Sequence, residues 1–113
     1  MTPQSSKAKG RRGQQLVRDA LLKAFPQLEP DDIRSTAMGQ TGEDLLLSPA
    51  ARKLIPYQIE CKSKAKSQIH TYYSQAKEHG NHEPLVVVKM DRHIPLAIIS
   101  LDHFIELLKG KQE

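Results

Sequence analysis

Two carboxylates and one lysine stand where short predicted strands can bring them together. Asp44 comes directly before the apolar run Leu45–Leu47, and Glu60 and Lys62 end an alternating run over residues 57–62. Because neighbouring side chains of a strand point to opposite faces, Glu60 and Lys62 share one face and Cys61 lies on the other. If the strand that carries Asp44 pairs nearby, both carboxylates and the lysine converge.

Such a group suits the hydrolysis of a phosphodiester. Carboxylate and carbonyl oxygens are hard ligands, which Mg²⁺ and Mn²⁺ accept and zinc favours less. The metal polarises a phosphoryl oxygen and activates a water, while the lysine stabilises the developing charge or orients that water. The alternative is a strand with a solvated Glu60–Lys62 pair, because short motifs have many false positives. Spacing alone leaves both interpretations open.

An Asp before an apolar strand, followed by Glu-x-Lys at the end of a second strand, resembles the signature of the PD-(D/E)XK nuclease superfamily. These restriction-endonuclease-like phosphodiesterases include Holliday junction resolvases and many phage nucleases. The segments Gly42–Asp44, Leu47–Leu54 and Ile59–Lys62 look like those of a small phage-type member. The resemblance covers most of the chain, from a leading helix to the later strands.

The resemblance implies a metal-dependent DNA endonuclease that uses Mg²⁺, with Mn²⁺ as a substitute. The implied metal ligands are Asp44, Glu60 and the backbone carbonyl of Cys61. Lys62 is the implied catalytic lysine, and Gln75 on the following helix is implied to contact the site or the DNA. A phage member would act in recombination, replication or packaging, on DNA of a particular structure, in the cytoplasm of the bacterial host.

Two positions depart from the family pattern. Glu43 stands where the family has a proline before the Asp, and glutamines stand where the leading helix often carries a Glu. Gln14 is spaced three and seven residues from Val17 and Leu21, so it lies beside the predicted buried stripe, whereas Gln15 points elsewhere. Gln14 is therefore the candidate helix-one site residue, with an ordinary surface glutamine as the alternative. A missing third carboxylate would weaken metal affinity.

Size and charge bound the remaining expectations. With 113 residues, we expect a flexible basic arm over residues 1–12 and a single nuclease-like domain over residues 13–113. The formal net charge of +4 has the sign expected for a nucleic-acid binder. The candidate phosphate contacts are basic residues of the arm and of two later segments: Arg11, Arg12, Arg52, Lys53, Lys64 and Lys66. The alternatives are a solubilising tail for the arm and ordinary exposed turns for the later segments.

Several function classes are not indicated. The single cysteine cannot form an internal disulfide, which agrees with a reducing compartment. No apolar run approaches a membrane span and no signal peptide is visible, so we expect a cytoplasmic protein without a membrane partner. His79 and His82 straddle a helix stop and no second cysteine is present, which disfavours a zinc site. Without a glycine-rich phosphate loop, no nucleotide cofactor is expected.

The predicted fold is α/β with a restriction-endonuclease-like core, in which helices flank a mixed β-sheet in the order α-β-β-β-α-β-β-α. Ser48 and Pro49 are expected to cap a short helical turn. The run Leu45–Leu47 is expected to be buried on both faces. The predicted helices cover residues 14–25, 67–79 and 101–109, and the predicted strands cover 33–37, 44–47, 57–62, 85–90 and 95–100, the last two as an antiparallel hairpin.

Two other functions remain open at this stage. The first is a DNA-binding module without catalysis, in which Glu60 and Lys62 form a structural ion pair. The second is a structural or interaction protein of the same fold. A homodimer is expected because symmetric cutting of two strands requires two active sites. The sequence leaves the DNA substrate open and does not exclude RNA.

Overall fold

The computed structural model describes the backbone of residues 3–36 and 43–112 and the side chains of residues 8–36 and 43–110. The residues group into two compact units, the first ending at Ser63 and the second beginning at Lys64, and each is described by itself. The predicted α/β class is confirmed, and the single domain predicted for residues 13–113 stays a prediction. The elements are α1 (Pro3–Ala24), β1 (Ile33–Ser35), β2 (Leu45–Leu47), α2 (Pro49–Leu54), α3 (Gln68–Lys77), β3 (Val86–Val88), β4 (Leu96–Ile98) and α4 (Leu101–Gln112).

The first unit packs α1 against a two-stranded antiparallel sheet. β1 pairs with β2 in a register that sets Ile33 opposite Leu47 and Ser35 opposite Leu45. Leu21 lies on α1 and Phe25 directly follows its last residue; the Phe25 amide donates to the carbonyl of Leu21 at 3.0 Å, and both side chains are buried. The buried apolar side chains of this unit are Leu21, Phe25, Leu28, Ile33, Leu45, Ala51 and Ile55.

Polar contacts join the 3-10 turn Pro30–Asp32 to the elements around it. On α1, Arg18 donates from Nε to the carbonyl of Ile33 at 2.6 Å and from Nη2 to the carbonyl of Pro30 at 2.9 Å. The Oγ atom of Ser48 donates to Oδ1 of Asp32 at 2.6 Å. This Oγ also accepts a hydrogen bond from the amide of Ala51 at 3.1 Å. The predicted helix cap at Ser48 is therefore confirmed.

The N-terminal arm differs from its prediction. α1 begins at Pro3, so residues 3–12 continue the first helix where we expected a flexible arm. Proline is favoured at the first helical position, and the lysines, arginines and alanine that follow are good helix formers. Their helix propensity outweighs the cost of Gly10, which is about 1 kcal/mol for a glycine in a helix interior.

The predicted third strand and the single mixed sheet are also corrected. Residues 55–64 contain no strand, and the described strands form two separate antiparallel pairs. The segment 57–62 bonds to Asp44, just before β2, and does not build a ladder along the strand. Since the sheet stops at two strands, Leu46 remains 47% exposed and Leu47 half-buried, so burial of this run on both faces is wrong. Residue 37, the last of the predicted strand 33–37, and the connection over residues 38–42 lie outside the described residues.

The second unit contains the predicted hairpin. β3 and β4 are antiparallel, with Val86 opposite Ile98 and Val88 opposite Leu96, which confirms that prediction. Ile105 is buried on α4. On α3 no residue is buried, although Ile69, Tyr72, Tyr73 and Ala76 recur at helical spacing and would predict a core-facing stripe; Tyr72 is 39% exposed. The strands β3 and β4 have three residues each and present too little surface to cover α3. None of the described helices is long and apolar enough to cross a membrane.

Candidate active site

Backbone hydrogen bonds hold Asp44 from two sides. Its amide donates to the carbonyl of Ile59 at 3.0 Å. Its carbonyl accepts the amide of Thr36 at 3.0 Å and the hydroxyl of Thr36 at 3.2 Å. The residue is thereby fixed between the end of β1 and the segment that leads to Glu60.

The carboxylate of Asp44 is directed by a further bond. The amide of Cys61 donates to Oδ2 of Asp44 at 2.6 Å. Hydrogen bonds to an ionised acceptor are shorter and stronger than neutral ones, so this contact orients the carboxylate as well as tethering it. The structure thus brings together the two segments that the sequence predicted to converge.

Glu60 and Lys62 lie on the outer side of their segment. The Nζ atom of Lys62 is 3.8 Å from Oε1 of Glu60, and the side chains are 71% and 74% exposed, respectively. Ile59 and Cys61 are half-buried and Glu60 and Lys62 are exposed, so the faces alternate over residues 59–62 although no strand forms, whereas Tyr57 at the start of the predicted run is 43% exposed. An exposed ion pair of this kind adds little stability. Because both side chains are largely exposed, both charged groups are accessible to a ligand.

Cys61 lies next to both carboxylates. Burial raises the pKa of its thiol, and the negative charges of Asp44 and Glu60 raise that pKa further. Both carboxylates are thus close enough to act on the same sulfur atom. Cys61 therefore lies in the field of two carboxylates, one of which is paired with Lys62.

Helix α1 passes the far end of this segment. A Cβ atom added at Gly13 would lie 2.3 Å from Oγ of Ser63, the residue after Lys62. Beside it, Gln14 is only 3% exposed, so the surface alternative for this glutamine is wrong. Its Oε1 atom is buried without a hydrogen-bond partner among the described residues. Buried polar atoms are nearly always paired, so this carbonyl oxygen requires an explanation such as a water or an ion.

The donor set suits a hard cation that keeps part of its hydration shell. Within the described ranges, no group of three or more His, Cys, Asp or Glu side chains is arranged to hold a metal. Mg²⁺ usually binds through one or two carboxylates together with waters and substrate phosphates. Asp44 and Glu60 can supply the carboxylates, and the orphaned Oε1 of Gln14 is a hard oxygen on the neighbouring helix. These residues fit Mg²⁺ and do not fit a closed zinc site.

The predicted nucleic-acid contacts divide between the two units. Arg11 and Arg12 are exposed on α1, and Lys53 is exposed on α2. Arg52, in contrast, bonds within the protein: its Nη2 atom is 2.8 Å from Oε2 of Glu43, and its Nη1 atom donates to the carbonyl of Tyr57. Three further candidates are exposed and belong to the second unit; they are Lys64, Lys66 and Gln75.

Four contacts of this region were not predicted from the sequence. They are the two bonds from Thr36 to the carbonyl of Asp44, the close approach of Gly13 to Ser63, and the ion pair between Glu43 and Arg52. The opposite charges of Glu43 and Arg52 were the only signal, and charge alone does not select partners nine positions apart. Contacts of this kind depend on which distant segments of the chain the connecting turns bring together.

Comparison with known proteins finds no match: no protein-family model, no curated protein and no solved structure matches this chain.

Proposed function

We propose that this protein is a metal-dependent DNA endonuclease with a restriction-endonuclease-like core, in which two separate strand pairs take the place of the expected mixed sheet. The observation that carries the proposal is the hydrogen bond between the Cys61 amide and Asp44, which joins the Asp segment to the Glu-x-Lys segment. An exposed, solvated Glu60–Lys62 pair would need no such tie to a carboxylate 17 positions away. The two acidic groups around one thiol give further support.

The proposed cofactor is Mg²⁺, with Mn²⁺ as a substitute. Asp44, Glu60 and the backbone carbonyl of Cys61 would hold it, and Gln14 would add a neutral oxygen from α1. When bound, the cation supplies Lewis-acid polarisation of the scissile phosphate and activation of a water. The bond that the Asp44 amide donates to Ile59 and the bond that Asp44 accepts from Cys61 would keep Asp44 in position during the reaction, and such preorganisation is the main requirement for electrostatic catalysis.

Lys62 is the proposed catalytic lysine. Its ammonium lies beside Glu60, so the metal ligand and the lysine reach the same exposed surface. There it would stabilise the charge that develops on the phosphate or orient the attacking water. Exposed basic residues of the same unit would hold the DNA backbone through phosphates; they are Arg11, Arg12 and Lys53.

A DNA-binding module without catalysis is the second candidate. It is favoured by the lack of three clustered metal-ligating side chains in the part of the chain that the structure describes. In that case the exposed pair of Glu60 and Lys62 serves only as a surface ion pair. Gln14, which carries no charge, supports the same interpretation, because a neutral amide binds a cation more weakly than a carboxylate.

Cleavage of labelled DNAs separates the two candidates. The panel contains single-stranded, duplex, flap and four-way junction DNA, incubated with Mg²⁺, Mn²⁺ or a chelator. We expect metal-dependent cutting that is lost in Lys62→Ala and Asp44→Asn and kept in Lys109→Ala, which removes an exposed lysine from α4. Binding without cutting in either metal would overturn the nuclease and support the binding module.

The assembly and setting of the protein belong to the same proposal. A homodimer would place two sites on the two strands of a symmetric DNA substrate. If the chain is phage-encoded, it would act in the cytoplasm of the bacterial host. The substrate that the panel cuts fastest would indicate recombination, replication or packaging as the process.

A further inference from the structure

The guanidinium of Arg52 connects the two segments that carry the candidate metal ligands. Its Nη2 atom is 2.8 Å from Oε2 of Glu43, the residue directly before Asp44. Its Nη1 atom donates to the carbonyl of Tyr57, three residues before Glu60. One side chain thus holds both segments from a third position in the chain.

The helix that carries Arg52 is itself firmly anchored. α2 begins after Ser48, whose hydroxyl caps the helix and also binds Asp32. Ala51 and Ile55, on either side of Arg52 in sequence, have no exposed surface. Since the backbone of α2 is fixed in the core, the guanidinium acts from a rigid support.

The contacts of Arg52 suit an arginine better than a lysine. A guanidinium presents several donors in a planar fork, so it can bind a carboxylate and a carbonyl in different directions at once. The ion pair is partly shielded, with 37% of the Arg52 side chain and 26% of the Glu43 side chain exposed. A lysine has a single charged nitrogen and would satisfy the two acceptors less well.

We propose that Arg52, paired with Glu43, is a positioning residue that sets the spacing between Asp44 and Glu60. The inference rests on the proposed nuclease function and deepens it. We call the contacts of Arg52 with Glu43 and Tyr57 the clamp. The clamp joins the segment of Asp44 to the segment of Glu60 at one end, and the bonds of Asp44 to Ile59 and Cys61 join them at the other. This role differs from the phosphate contact that the sequence predicted for Arg52, because two of its nitrogens are already used within the protein.

The two roles of Arg52 give opposite kinetic patterns. A lost phosphate contact weakens DNA binding and reduces its salt dependence, whereas the chemical step stays intact. A lost clamp misplaces the ligands, which lowers kcat and raises the Mg²⁺ concentration needed for half-maximal rate. Displacements of about 1 Å at an active site can lower the rate by about a hundredfold.

The test compares Glu43→Gln, Arg52→Met, Arg52→Lys and the double variant Glu43→Gln/Arg52→Met. We measure kcat and the half-maximal Mg²⁺ concentration on the best DNA substrate, and we measure DNA affinity separately in chelator. Each single variant should lower kcat by about tenfold or more, with DNA affinity changed less than about twofold. The double variant should be no worse than Arg52→Met, because Arg52→Met already removes the ion pair that Glu43→Gln weakens.

Two reference variants complete the design. Lys109→Met should leave every measured quantity unchanged, and Lys53→Met should show the phosphate-contact pattern of weaker DNA affinity. Thermal melting checks that each variant folds, and if Arg52→Met does not melt cooperatively, Glu43→Gln and Arg52→Lys carry the test. A wild-type protein that cuts, together with Arg52 and Glu43 variants of normal kcat, would overturn the clamp alone. A wild-type protein that cuts no DNA in either metal would overturn the nuclease function and the clamp with it.

Discussion

The main-chain amide of Cys61 donates a hydrogen bond of 2.6 Å to Oδ2 of Asp44, across 17 positions of sequence. The bond gives the carboxylate a structural task beside any chemical one. It satisfies a partly buried amide and leaves Oδ1 without a hydrogen bond to another described residue. The two tasks can be separated by substitution.

Asp44→Asn and Asp44→Leu should separate these tasks. The amide oxygen of asparagine can still accept the Cys61 amide, whereas leucine cannot, so Asp44→Leu should be less stable than Asp44→Asn by about 1 kcal/mol. Both should lose stabilisation by Mg²⁺, which at ten times its Kd amounts to about 1.4 kcal/mol. Urea unfolding with and without Mg²⁺ measures both effects. Equal stability of the two variants would contradict the bond between Cys61 and Asp44.

Gln14→Met and Gln14→Glu should change stability and metal binding in opposite directions. Methionine has a similar length and no unsatisfied carbonyl, so without metal Gln14→Met should be more stable by about 1 kcal/mol. Gln14→Glu adds a carboxylate and should lower the Mg²⁺ concentration needed for stabilisation, at some cost to the metal-free fold. Thermal melting over a Mg²⁺ titration measures both. Gln15→Met, at the exposed neighbouring position, is the control and should change neither the stability nor the Mg²⁺ dependence.

Gly13→Ala tests the contact between α1 and Ser63. Alanine is favoured over glycine in a helix interior by about 1 kcal/mol, but its Cβ would lie 2.3 Å from Oγ of Ser63. In Ser63→Ala the remaining Cβ would be 3.7 Å away, an ordinary contact. Gly13→Ala should therefore stabilise the Ser63→Ala protein more than the wild type. Identical gains in the two backgrounds, measured by denaturant unfolding, would argue against this packing.

Asp32 should make the stability of the protein sensitive to acid. Hydrogen bonds from Ser48 and from the amide of Glu29 lower the pKa of Asp32 below its ordinary value of 3.8. The folded state therefore holds the charged form more strongly than the unfolded state does. The resulting stability is present above pH 3.8 and is lost as the pH falls through the lowered pKa.

Unfolding by denaturant from about pH 6 to about pH 2 measures the contribution of Asp32. Asp32→Asn should have a flatter pH dependence than the wild type over the acidic part of this range. Ser48→Ala should have an intermediate one, since the serine is the largest cause of the shift. Parallel curves for the wild type and Asp32→Asn would contradict the linkage.

Local patterns of the sequence predicted the elements that depend on near neighbours. The cap at Ser48 follows from residue types within one turn of α2, and the hairpin of β3 and β4 follows from two apolar runs with a short connection. The shared face of Glu60 and Lys62 follows from alternation, which needs no partner strand. A basic run at a terminus predicts a flexible arm, but lysine and arginine are good helix formers, and α1 continues to Pro3.

By itself, the sequence determined the α/β class and the residue types of the candidate site, because helix caps, turns and alternation are properties of short segments. Tertiary structure alone decided that Asp44 bonds to Cys61, that Gln14 is buried and that Arg52 binds Glu43. It also decided that residues 57–62 bond to Asp44 without becoming a strand. These outcomes depend on which distant segments meet and how closely their backbones approach. That is set by packing of the whole unit, which no local pattern encodes.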